Sequence, residues 1–67
     1  MRLQINGEER EFPDVGTVEA LVAALGLADR RVAVEVNQRI VKRGTYAEHA
    51  LAEGDVVEIV QFVGGGC

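Results

Sequence analysis

The chain has 67 residues, enough for one small domain that buries only about 60% of the surface its unfolded form exposes, so each apolar side chain matters. A formal charge of −4 and a pI near 4.8, with seven basic residues spread along the sequence, argue against a nucleic-acid partner. No apolar run approaches the roughly 20 residues that span a bilayer and no basic, apolar leader follows Met1. A lone cysteine favours a reducing compartment, so a soluble, cytoplasmic monomer is expected.

The first element is an alternating strand. Met1, Leu3 and Ile5 fall on one side and Arg2, Gln4 and Asn6 on the other, the period of a half-buried strand. Asn6-Gly7 supplies two residues that tolerate positive φ, the preferred pair for a tight hairpin. The returning strand is EEREF, with Phe12 as its core candidate. Pro13 ends it by withdrawing a ladder donor.

GTVEALVAALG (16–26) reads as a helix with its ends marked. Thr17 can cap the free amides of the first turn, and Glu19 sits where negative charge is favoured. Val18, Leu21, Val22 and Leu25 form one apolar stripe at helical spacing. Gly26 follows, where a left-handed residue closes a helix.

RVAVEVN (31–37) alternates again, with Val32, Val34 and Val36 inward and Ala33 and Glu35 outward. Asn37-Gln38 makes a turn, and a short strand runs through Ile40 and Val41. KRGTYAEHALAEGD (42–55) has no long period and reads as loops anchored by Tyr46 and Leu51. Gly54-Asp55 signals a turn before the β-branched run VVEIVQFV (56–63).

A right-handed crossover through the helix makes the first and last strands parallel central neighbours, with the hairpins outside. The expected fold is α+β: a ubiquitin-like β-grasp, a mixed sheet of four to five strands with one main helix on one face. Residues 1–63 form the domain and 64–67 a Gly-rich tail. In the last strand Val57 and Ile59 continue the inward set. That places Val56, Glu58, Val60 and Phe62 on the uncovered face, where Val60, Phe62 and the neighbouring Ala33, with Glu58 beside them, form a candidate partner surface.

Few residues suit chemistry within the domain. His49 is a lone imidazole beside Glu48 and Glu53, short of the three or four convergent ligands of a metal site. Glu8, Glu9 and Glu11 lie in a strand where adjacent side chains point to opposite faces. Lys42 and Arg43 suit a solvated edge that deters strand pairing, or a charge that steers docking. The chain offers no catalytic residue and no metal site of its own, and no bound cofactor is expected.

The tail is different. Gly64, Gly65 and Gly66 add nothing to a core, yet they can thread a channel too narrow for a Cβ. Gly64 to Cys67 reaches at most about 14 Å. A carboxylate preceded by glycine is open to attack from most directions. All of this suits delivery of a C-terminal carboxylate into another protein's active site.

The segments VEIVQFVGGG, VAVEVNQRIVKR and LAEGD together resemble the ThiS family, the sulfur carriers of thiamine biosynthesis, over Leu3 to Gly66. The resemblance implies that Gly66 is adenylated by an E1-like adenylyltransferase using ATP and Mg. A cysteine desulfurase or other sulfurtransferase then supplies sulfur, and the resulting thiocarboxylate feeds thiazole synthase. Gly64 and Gly65 would be the flexible approach. Cys67 departs from the family's glycine end. It is removed by a C-terminal peptidase, is an appended remnant, or carries a persulfide itself. Other readings of the same features are the small subunit of molybdopterin synthase, a ubiquitin-like protein modifier, and a plain interaction module.

Overall fold

Strand β1 (Arg2–Ile5) turns at Asn6-Gly7 into β2 (Glu8–Glu11), helix α1 spans Val18–Ala24, and β3 (Val32–Val36) turns into β4 (Arg39–Val41). A single 3-10 turn covers Arg43–Thr45, and β5 (Val56–Gln61) closes the fold. These assignments come from a computed structural model that describes residues 1–62. The sheet order is β2-β1-β5-β3-β4, with β1 and β5 parallel and the other neighbours antiparallel. The first and last strands are thus adjacent and central, as the crossover rule requires.

The core lies between α1 and one face of the sheet. Leu3, Ile5, Val32, Val34, Val36, Val57 and Ile59 point inward from the strands and meet Val18, Leu21 and Val22 of α1. Phe12 and Leu51 are buried as expected, while Tyr46 and Leu25 pack against the cluster only in part. Ile40 departs from the aliphatic rule: it is 77% exposed. Its register partner is Glu35, so alternation turns it away from the helix and Val41 takes the inward place.

Helix α1 is closed at both ends by different means. The Thr17 hydroxyl accepts from the Ala20 amide at 3.2 Å. Val18 and Glu19 donate to the carbonyls of His49 and Tyr46, each at 3.0 Å. The irregular segment after β4 thereby satisfies amides that a helix start leaves free. At the far end Leu27 donates to the Val22 carbonyl and Gly26 (φ +76°) to that of Ala23, a Schellman closure.

Both hairpins turn through residues at positive φ. Asn6 (50°) and Gly7 (84°) form the first turn, Asn37 (51°) and Gln38 (69°) the second, the conformation that matches strand twist. Each asparagine does a second job on β5. The Asn6 amide donates to the Ile59 carbonyl at 3.1 Å, and its Oδ1 accepts from the Ile59 amide at 2.7 Å. Asn37 accepts from the Val56 amide and donates to Asp55 Oδ1, both at 3.0 Å. Two side chains therefore hold β5, Asn37 at its first residue and Asn6 midway along it, where the neighbouring strands turn away.

Candidate functional site

The helix covers one face of the sheet, and no described element covers the other. Register decides what that second face carries. Ala33 is opposite Val60, and Glu35 lies between Glu58 on one side and Ile40 on the other. Val60 is 58% exposed and Phe62 52%. The four residues expected to share this face, Ala33, Glu58, Val60 and Phe62, do share it, and Ile40 joins them.

Two cations border this apolar group. Phe62 donates to the Arg31 carbonyl at 2.9 Å, continuing the β3–β5 ladder past its last strand pair. Lys42 is still extended (φ −69°, ψ 137°) and directly follows Val41, the last residue of β4 and the partner of Val34. Alternation puts both on the open side, and both are exposed. At the other end of the group lie Glu35 and Glu58.

The charge is segregated along the sheet. Five of the seven basic residues and one of the eleven acidic ones lie between 30 and 43, a local net charge of +4 in a chain at −4. Arg30 and Arg31 lead into β3, Arg39 lies on β4, and Lys42 and Arg43 follow it. These cations are dispersed over the chain only if Arg2 and Arg10 are counted with them; the pairing of β3 with β4 sets the other five beside the β4 rim of the sheet. The opposite edge, β2, carries Glu8, Glu9 and Glu11. The described ion pairs are all there, from the N-terminal ammonium to Glu11 and from Arg2 to Glu9 and Glu11.

Ile40 escaped the sequence reading because it sits beside Val41 in a three-residue strand, where alternation cannot tell which faces inward. Its pairing with Glu35 is the missing information. His49 is half-buried, and among the described residues no group of three or more metal-ligating side chains occurs. Nor is any described helix long and apolar enough to cross a membrane. The tail residues Gly64, Gly65, Gly66 and Cys67, and the boundary drawn at Val63, lie outside the described residues.

A five-stranded mixed sheet in this order, with one helix on one face, defines a β-grasp protein of the ubiquitin-like class. The chain belongs to the ThiS family, whose model matches residues 3–66. It is 43% identical to the sulfur carrier protein ThiS of Bacillus subtilis, over 96% of this chain and 98% of that one. It is 54% identical to a thiazole synthase of Paramagnetospirillum magneticum, over 98% of this chain but only 20% of the longer protein. The crystal structure of a thiamine biosynthesis protein (ThiS) from Geobacter metallireducens superposes with a TM-score of 0.81 at 32% identity, covering 98% of this chain and 100% of that one. The fold and the family expected from the residues are both borne out.

Proposed function

We propose that this chain is a sulfur carrier of thiamine biosynthesis, a protein co-substrate with no catalytic group of its own, and that the Gly66 carboxylate is its reacting group. The observation that carries the reading is the family match through residue 66, which takes in the glycine run as well as the folded body. A carboxylate is a poor electrophile, so a partner must first convert it to an acyl adenylate. An E1-like adenylyltransferase does this with ATP and Mg, releasing pyrophosphate. The persulfide of a cysteine desulfurase or other sulfurtransferase then displaces AMP to leave an acyl disulfide. A thiol of the partner enzymes cleaves it, forming a disulfide with the donor cysteine, and the freed thiocarboxylate is passed to thiazole synthase in the cytoplasm.

The match to one fifth of a protein named thiazole synthase supports that last partner. The open face supports the role of a docked substrate. Val60, Phe62 and Ala33, with Glu58 beside them, form the surface a partner grips while the chain beyond Phe62 enters its active site. While Cys67 follows it, Gly66 is tied up in an amide and has no carboxylate to adenylate. The reading therefore requires a working chain that ends at Gly66, whether a peptidase removes Cys67 or Cys67 is an appended remnant.

The test is intact mass spectrometry after incubation with ATP, Mg, adenylyltransferase and sulfur donor. A chain ending at Gly66 gains the mass difference between sulfur and oxygen. No gain, under conditions that thiolate the Bacillus subtilis carrier, overturns the reading.

A further inference from the structure

We propose that the cation-bordered end of the open face is an electrostatic dock for a folded partner protein that surrounds an apolar socket with carboxylates. The proposal rests on the partner reading above and specifies the chemistry of the partner's surface. Val60, Phe62 and Ile40 supply exposed apolar area, and apolar patches rimmed by polar groups mark association surfaces. Arg31 and Lys42 rim that area on the side where the chain leaves the sheet. None of the five cations between 30 and 43 takes part in a described ion pair, so their charge is directed outward.

The overall charge of −4 makes this local reversal informative. An acidic partner is repelled by most of this molecule and attracted by one edge, which orients the encounter as well as hastening it. A second copy of this chain fits less well. Its acidic edge, β2, is partly neutralised by Arg2 and the N-terminal ammonium, and β2 presents no exposed large apolar residue.

Association rates of the full chain with the cognate adenylyltransferase and with the cognate thiazole synthase test this by stopped-flow fluorescence over a salt series. For at least one of them the wild-type rate falls steeply with salt. Arg31→Glu with Lys42→Glu slows low-salt association about tenfold or more and abolishes that fall, whereas Arg10→Glu, a single reversal on β2, slows it less than twofold. The milder Arg31→Gln with Lys42→Gln gives an intermediate rate, and circular dichroism melts confirm that each variant is folded.

Equal rates for wild type and double reversal overturn the proposal. So do salt-independent association, absence of binding to either protein, and self-association or oligonucleotide binding that the same double reversal abolishes while enzyme binding persists. The mass assay, run on the same variants prepared to end at Gly66, separates the two readings. Salt-dependent binding without sulfur gain upholds the dock and overturns the carrier. Sulfur gain with unaltered binding by the double reversal does the opposite.

Discussion

Replacing Asn6 by aspartate tests whether this side chain does more than make a turn. Aspartate tolerates the left-handed conformation that Asn6 adopts at φ 50°, and Asp-Gly suits the same hairpin turn as Asn-Gly. If the turn were the whole role, the substitution would be silent. The structure says otherwise, because Asn6 both donates to and accepts from the backbone of Ile59, 53 positions away. Aspartate keeps the acceptor and loses the donor, setting a carboxylate oxygen against the Ile59 carbonyl. One lost hydrogen bond costs about 0.5–1.5 kcal/mol, and an unsatisfied, partly buried acceptor brings the total to about 1–3 kcal/mol.

At about 4–8 °C per kcal/mol for a domain of this size, 2 kcal/mol lowers the melting temperature by about 8–16 °C. Asn6→Gly is the companion variant: it keeps the turn, loses both bonds, and adds the unfolded-state freedom of glycine, for about 1.5–4 kcal/mol in all. Chemical denaturation gives the free energies, and amide exchange read by NMR gives the local effect, since protection at the Ile59 amide should drop most in the glycine variant. Stability of Asn6→Asp within about 0.5 kcal/mol of wild type would refute the reasoning.

Three further outcomes are expected. Leu21→Ala removes a fully buried side chain and should cost about 2–5 kcal/mol, enough to leave much of so small a domain unfolded at 37 °C by circular dichroism. Thr17→Ala should cost about 1 kcal/mol through the lost cap, with Thr17→Ser recovering most of it in the same denaturation assay. Val60→Ser with Phe62→Ser should stay within about 1 kcal/mol of wild-type stability, because both sites are exposed, yet weaken binding to the adenylyltransferase by about tenfold or more in titration calorimetry.

Some of this protein could be read from the sequence alone because the causes are local. Strand alternation through Leu3 and Ile5, and through Val32, Val34 and Val36, follows from the two-residue period of an extended backbone. Thr17 and Gly26 mark helix ends, and Asn6-Gly7 marks a hairpin, through sterics and hydrogen bonds within a few residues. The inward set of β5 followed the same way, and with it the exposure of Val60 and Phe62. The glycine run at 64–66 was equally legible as a feature of composition.

Other features depend on partners far along the chain, which no local period reports. Residues 42–55 looked like connecting loop, yet they supply the carbonyls that satisfy the first amides of α1. Ile40 could be turned outward only by its pairing with Glu35, and the fastening of β5 by Asn6 and Asn37 requires three strands to be in register. The cations from Arg30 to Arg43 become one edge only when β3 and β4 fold against each other and leave β4 at the sheet's rim. Backbone sterics act between neighbours in sequence, whereas side-chain clamps and surface charge are properties of neighbours in space. Only the closed sheet brings those neighbours together.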